Sequence, residues 1–373
     1  MKKICFVTAA RSEYGLLKWL MHDIDEDSDF QLQLIVTGGH LLKEQGYTID
    51  AIISDGFKID ATVDANLDTS STESIASSMG RMAEKFAPVF AELKPDLLFV
   101  LGDRYELLPI CNSAFVMRIP IAHLSGGDVT EGAIDDGVRN TVTMLADYHF
   151  PGPIDSAKNI ERMRGNSRNI WAVGAPGLDA FNRIKLMTRA ELADNLGLDE
   201  NKKWCLMTYH SETRESLEYN LSAVQSCFDA LSSHKDLQVV MTYANADFGG
   251  EKINEQLEEM TKKNPSKFKV VPSLGQLRYL SFMKQVALVI GNSSSGIVEA
   301  PSLGVPVVNI GERQKGRYQC KNIIQCNNDS VAIATAVNSS FEKELDNSDC
   351  NFWGNGHASE NILKILKNNI FNN

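Results

Sequence analysis

Acids and arginines gather in this chain where buried strands should end. The apolar run Leu97-Leu98-Phe99-Val100 leads into Leu101-Gly102-Asp103-Arg104-Tyr105-Glu106. Ile119-Pro120-Ile121-Ala122 then leads into His123-Leu124-Ser125-Gly126-Gly127-Asp128, and the acidic pair Asp135-Asp136 follows. In open α/β sheets ligands bind outside the carboxyl ends of the strands. Carboxylates at such ends, in one half of the chain, suit a site that moves protons on a bound ligand. Arg104 and Arg139 lie close by in sequence, able to hold a leaving anion or to tune the acids by ion pairing. Aspartate is also a favoured cap and turn residue, so each acid alone reads as structural, and only their shared position raises the functional reading.

The second half carries a different chemistry. Val289-Ile290-Gly291-Asn292-Ser293-Ser294-Ser295-Gly296-Ile297-Val298-Glu299 reads as strand, small-residue turn and helix. Small residues let backbone amides approach a ligand, and the helix start adds unpaired N–H groups and the positive end of its dipole, which makes a diphosphate cradle. The competing reading is an ordinary serine-capped helix. The segment is neither a Walker loop nor GxGxxG. Glu299, one turn in, suits two ribose hydroxyls or simply complements the dipole. Gly311-Glu312-Arg313-Gln314-Lys315-Gly316-Arg317 offers cations for a pyrophosphate, or is a solvated charged loop. His210, after the strand expected at 204–208, can bind phosphate, shuttle a proton or pack at a helix start. Arg11, between the first strand and first helix, could meet phosphate. The lack of a GxGxxG fingerprint there argues against a nicotinamide site.

Positioning these groups requires alternating elements. Strands are expected at 4–8, 32–36, 97–101, 119–122, 147–150 and 169–173, with helices at 13–27, 40–55, 72–93, 105–117 and 135–145. In 72–93 the residues Ile75, Met79, Met82, Phe86, Val89, Phe90 and Leu93 recur at helical spacing, the mark of one buried face. A second series has strands at 204–208, 237–242, 268–271, 287–290 and 306–309, with helices at 189–196, 214–232, 250–263, 274–284 and 296–303. Such alternation implies parallel sheets covered by helices. Gly174-Ala175-Pro176-Gly177 is the expected hinge, and 358–371 is helical by pattern.

The 373 residues, 43% hydrophobic and 23% charged, suit two soluble globular domains. A net charge of −11 opposes general binding to nucleic acid or anionic membrane, though not a local basic pocket. The seven cysteines contain no CxxC pair and read as reduced thiols of a cytoplasmic protein. Cys320 and Cys326 alone do not make a metal site. The apolar start, Ile4 to Thr8, is too short for a signal segment, and no apolar run reaches membrane-spanning length.

Taken together, the segments 8–18 (TAARSEYGLLK), 35–41 (IVTGGHL), 100–108 (VLGDRYELL), 123–143 (HLSGGDVTEGAIDDGVRNTVT), 291–317 (GNSSSGIVEAPSLGVPVVNIGERQKGR) and 354–362 (GNGHASENI) resemble the UDP-N-acetylglucosamine 2-epimerases. The resemblance is strongest to the hydrolysing branch that feeds sialic and legionaminic-type acid synthesis. It implies an α/β chain of GT-B architecture: two Rossmann-like domains, 1–173 plus 355–373 and 178–354, facing across a cleft, with the C-terminal helix crossing back to the first. It implies acid–base roles for Asp103, Asp128 and Asp136, and a catalytic place for His210. Substrate-binding roles fall on Arg11, Glu13, His40, Arg104, Arg139, Ser293, Ser294, Ser295, Gly296, Glu299 and Arg313. The substrate would be a UDP-sugar, with no cofactor and no metal, and the assembly a homodimer. The chain departs from the family where Arg-His-x-Ile-Thr-Lys becomes Arg139-Asn140-Thr141-Val142-Thr143-Met144, and where Gly-Gly-Glu becomes Gly126-Gly127-Asp128. The first reading is hydrolysis of UDP-N-acetylglucosamine to UDP and N-acetylmannosamine; the departures either signal an altered sugar, such as a 2,4-diacetamido-trideoxyhexose, or are neutral. The rival readings are a non-hydrolysing epimerase, a GT-B glycosyltransferase, for which no acceptor site is legible, and a nucleotide-sugar sensor without turnover.

Overall fold

The computed structural model describes residues 1–42, 47–68, 71–130, 134–245, 249–342 and 346–372. The chain divides into two compact units: Met1–Asp128 with Ile134–Ala180 and Gly354–Asn373, and Val129–Ala133 with Phe181–Trp353.

The first unit is built on β1 (Lys2–Thr8), β2 (Phe30–Thr37), β3 (Ala61–Val63), β4 (Leu97–Leu101), β5 (Ile121–Leu124) and β6 (Tyr148–Phe150). All pair in parallel in the order β3-β2-β1-β4-β5-β6. Parallel strands buried on both faces need apolar residues at every position, and β4, Leu-Leu-Phe-Val-Leu, is buried throughout. Alternation along β1 feeds two separate cores. Ile4 and Phe6 pack with Leu17, Leu20, Ile24, Ile362 and Leu366, while Cys5 and Val7 pack with Met82, Phe86, Phe90 and Val142. The helix Thr72–Leu93 forms as its periodicity predicts, burying Met82, Phe86 and Phe90.

Two expectations change here. Residues 169–173 form no strand, only an isolated bridge between His149 and Ile170. His149 of β6 donates to the Asn169 carbonyl at 2.8 Å and accepts from Trp171 at 3.0 Å, and beyond β6 Val173 donates to the Pro151 carbonyl at 3.0 Å. Pro151 and Pro153 carry no N–H to answer, so a two-way ladder cannot propagate. The helix expected at 40–55 is instead a 3-10 turn, Gly38–Leu41, and a short helix, Ile49–Ser54; positions 43–46 of that expectation lie outside the described residues. The sequence pattern also missed the helix Ile154–Arg164 and the three-residue β3.

The glycine-rich stretch at 174–177 enters a 3-10 turn, Pro176–Leu178, that runs into the short helix Asp179–Arg183. The C-terminal helix Ala358–Ile365, followed by a π turn Leu366–Ile370, returns to the first unit through Ile362 and Leu366. Its start is capped from far along the chain: the buried Asp179 carboxylate accepts the Ala358 N–H at 2.8 Å and the Ser359 N–H at 2.7 Å. An anion there satisfies orphan amides and meets the positive helix end.

The second unit contains β7 (Lys203–Thr208), β8 (Leu237–Thr242), β9 (Phe268–Val271), β10 (Leu288–Gly291), β11 (Val307–Ile310) and β12 (Ile323–Cys326), ordered β12-β11-β10-β7-β8-β9 and all parallel. Read from its own first strand, this is the same order as in the first unit, the doubly wound Rossmann order. The strand β12 and the helix Ser330–Glu342 were not expected from the sequence. In each sheet the order reverses at one place, between β1 and β4 and between β7 and β10. That reversal is where such sheets bind ligands.

Asp179→Ala should loosen the C-terminal helix, at a cost of about 1–2 kcal/mol. Amide exchange across residues 358–366 would speed up while the rest of the unit stays protected; unchanged exchange there would contradict the capping role.

Candidate active site

In the first unit the loops after β1 and β4 flank the reversal point. Gly102 leaves β4 with φ +81° and presents Asp103. The helix Asp135–Leu145 brings Arg139 beneath it, only 1% exposed. The Arg139 Nη2 bonds the Asp103 carboxylate, and its Nη1 reaches Asp136 Oδ1 at 3.4 Å and the Asp128 carbonyl at 2.9 Å. Burial works against the guanidinium charge, but Asp103, Asp128 and Asp136 outweigh it, and the pKa is raised. Asp128 is further held through its Oδ1 by Ser156 Oγ at 2.6 Å, and Asp136 through its Oδ2 by Asn140 Nδ2 at 3.1 Å. Both acids keep partial exposure. Acids distant in sequence therefore converge on one buried cation.

His123, on β5, ties this arrangement together. It is fully buried, with Nε2 at 2.8 Å from the Gly102 carbonyl and Nδ1 at 3.1 Å from Thr143 Oγ1. A carbonyl only accepts, so Nε2 carries the proton and Nδ1 accepts from the threonine. Burial pushes this histidine down to about 4, so it stays neutral. Thr143 lies one helical turn beyond Arg139, and Gly102 directly precedes Asp103. The turn between β5 and Asp128 admits no side chain at Gly127, with φ +78°, where a Cβ would stand 2.2 Å from the Ser156 carbonyl.

Across the reversal point, buried Glu13 caps the helix Arg11–Asp25, its Oε2 accepting the Ala9 N–H at 2.7 Å and the Ala10 N–H at 3.1 Å. Burial pushes its carboxyl up to about 8, although Arg104 pulls the other way. Arg104 forks onto buried Glu106, with Nη2 at 3.0 Å and Nε at 3.2 Å. Burial opposes the Arg104 charge, but Glu106 and Glu13 raise its pKa. Arg11 is exposed at the helix start. His40 is buried with Nε2 at 2.9 Å from Thr8 Oγ1 and Nδ1 at 2.7 Å from Thr48 Oγ1. Burial pushes it down to about 4, a neutral tie behind the β1 loop.

In the second unit Gly291 closes β10 with φ +134°; a Cβ there would lie 1.9 Å from the Thr208 carbonyl of β7. This close approach delivers Asn292 to a buried position between the two loops. Its Oδ1 accepts the His210 N–H at 2.7 Å and its Nδ2 donates to the His210 carbonyl at 2.8 Å. Its own carbonyl receives Arg313 Nη1 at 3.2 Å and Gln314 Nε2 at 2.9 Å. One amide residue thus places two of the expected ligands.

Ser293 caps the helix Ser294–Ser302, and its hydroxyl lies 3.0 Å from Ser295 Oγ, which Tyr279 OH meets at 2.5 Å. Ser294 is exposed, and Gly296 lets the helix close onto Val307 of β11. Glu299 lies one turn along, its carboxyl pushed up by burial to about 6 despite Arg317. Buried Glu212 supports the neighbouring loop by accepting the Glu312 N–H at 3.1 Å.

Sequence reasoning passed over Asn292, His123, Thr143, Ser156, Tyr279 and Glu212 as site residues. The first three stood inside segments already singled out, without a role of their own. The others come from helices or loops with no local signature. Among the described residues no group of acids, histidines and cysteines could hold a metal ion, and no helix is long and apolar enough to cross a membrane.

A Rossmann unit that gathers acids and arginines, followed by one with a hydroxyl-lined helix start beside a histidine and an arginine, defines a nucleotide-sugar enzyme. The family model for UDP-N-acetylglucosamine 2-epimerase matches residues 22–367, and the chain belongs to that family. It is similar to the GDP/UDP-N,N'-diacetylbacillosamine 2-epimerase (hydrolyzing) of Campylobacter jejuni, 36% identical over 87% of this chain and 84% of the relative. It is also similar to the UDP-N,N'-diacetylbacillosamine 2-epimerase (hydrolyzing) of Legionella pneumophila, 32% identical over 98% of this chain and 96% of the relative. The fold matches the crystal structure of UDP-GlcNAc 2-epimerase from Neisseria meningitidis bound to UDP-GlcNAc, with a TM-score of 0.81 at 18% identity, covering 98% of this chain and 100% of that one.

Arg139→Lys keeps a charge but cannot reach three partners. Each charged hydrogen bond lost costs about 1.5–3 kcal/mol, so the denaturation midpoint of the first unit should fall clearly. A variant as stable as the parent would remove Arg139 from the centre of this arrangement.

Proposed function

We propose that this chain is a hydrolysing UDP-HexNAc 2-epimerase. The observation that carries the reading is the convergence of Asp103, Asp128 and Asp136 on Arg139. Departure of UDP from C1 with proton removal at C2 gives a 2-acetamidoglycal. Water then adds at C1 while C2 takes a proton on the opposite face. Inversion needs proton carriers on both faces, hence more than one acid, and each positioned group contributes about 10²–10⁴-fold. The same carboxylates stabilise positive charge that develops near C1.

The diphosphate falls to Ser293, Ser294, Ser295 and Gly296 at the helix start and to Arg313 and His210, with Arg11 and Arg104 as further cations. Glu299 takes the ribose hydroxyls. Glu13 and His40 hold the β1 loop against the sugar. For the sugar itself we propose a UDP-linked 2,4-diacetamido-2,4,6-trideoxyhexose, because the two relatives above are named for N,N'-diacetylbacillosamine. UDP-N-acetylglucosamine, yielding N-acetylmannosamine, is the second reading. The proposed assembly is a homodimer, which sedimentation equilibrium measures. The seven free thiols support a reducing, cytoplasmic setting.

Incubation of each UDP-sugar in deuterated water, followed by proton NMR, tests the reaction. The expected product is free 2-epimeric sugar carrying deuterium at C2, formed faster from the diacetamido compound. A UDP-sugar that epimerises without hydrolysis, or no turnover of either, overturns the reading. Asp103→Asn, Asp128→Asn and Asp136→Asn should each lose about 10²-fold or more in kcat while UDP still binds; near-normal UDP release by all of them would refute the acid–base assignment.

Glu299 accepts hydroxyls best as a carboxylate. Its pKa of about 6 lies above the ordinary glutamate value, so acidification through that point neutralises it and weakens nucleotide binding. Calorimetry should show UDP affinity falling as pH drops through this range, and Glu299→Gln should flatten the dependence.

A further inference from the structure

The imidazole of His210 is held at its backbone and at one ring nitrogen. Asn292 grips the backbone N–H and carbonyl, and the backbone N–H of Asn245 donates to His210 Nδ1 at 3.1 Å. A backbone amide can only donate, so Nδ1 must offer its lone pair. The single proton of a neutral imidazole then resides on Nε2.

A second constraint is electrostatic. The Asn292 carbonyl anchors Arg313, the charged group among the described residues that acts on the ring, while Asn292 and Asn245 are neutral. Burial of the ring, reinforced by that guanidinium, pushes the histidine down to about 3. Gaining a proton on Nδ1 would also break the bond from Asn245.

We infer that His210 is locked as the Nε2–H tautomer and acts as a neutral hydrogen-bond donor to an anionic oxygen of the diphosphate, taking no part in proton transfer to or from carbon. This assignment rests on the reading of the second unit as the UDP site and deepens it. Sequence alone left the residue open between anion ligand, proton shuttle and a residue packed at a helix start. All proton traffic at C2 then belongs to the carboxylates of the first unit.

Long-range proton–nitrogen correlation on histidine-labelled wild-type protein reads the tautomer directly. The expected spectrum shows a protonated Nε2 and an acceptor Nδ1, constant from about pH 5.5 to 8, with the Nε2–H signal moving on addition of UDP. His210→Ala should weaken UDP binding roughly tenfold or more. His210→Gln, which restores a donor but cannot titrate, should weaken it less and keep the shape of the wild-type pH–rate profile. A ring that titrates near neutral pH, an Nδ1–H tautomer, or a limb of the wild-type profile that vanishes in His210→Gln would overturn the inference. Failure of the wild type to bind UDP would overturn the reading of the unit instead, and the tautomer would still be decided by its spectrum.

Discussion

A single buried guanidinium organises the acidic half of this protein. Arg139 is almost wholly removed from water, where an unpaired charge is untenable. Asp103, Asp136 and the carbonyl of Asp128 compensate it, and each arrives on a different stretch of chain. The dependence runs both ways. The arginine stays charged because the acids surround it, and the acids stand together because the arginine draws them in. Ser156 and Asn140 add one hydrogen bond each to Asp128 and Asp136, so the acids are held but remain partly open to solvent. That is the state a proton carrier needs.

The neutral buried histidines play the complementary part. His123 joins Gly102 to Thr143, and His40 joins Thr8 to Thr48. Burial keeps both uncharged, so they position loops without adding charge to the field of Arg139 or Arg104. In the second unit the neutral carboxamide of Asn292 does similar work for His210 and Arg313. In both units uncharged polar groups share in setting the loops after the strands.

The same strand order occurs in both units. Two neighbours of the acids have a clear physical effect. Asn140 donates to Asp136. It does so without titrating, so Asp136 keeps a partner whose charge does not vary with pH. Asp128, one methylene shorter than glutamate, is drawn toward the helix Ile154–Arg164 by Ser156. Met144 is an exposed residue near the end of its helix.

Local sequence determined the elements that rest on local physics. The periodicity of 72–93, the apolar runs of β4 and β8 and the serine-capped turn after β10 are each legible because hydrophobic spacing and capping chemistry act over one or two turns. The acid positions and the glycine-serine turn were legible for the same reason, since strand ends are punctuated by turn residues. Short edge strands such as β3 and β12 carry too few residues for a period to show, and the segment at 169–173 failed as a strand only because prolines elsewhere could not answer it. The tertiary structure alone decided which groups meet: Arg139 with Asp103, Asp179 with the C-terminal helix, Asn292 with His210, Tyr279 with Ser295. Those pairs lie far apart along the chain, and their bonds exist only because sheet order and burial bring the partners within reach and exclude the water that would otherwise satisfy them.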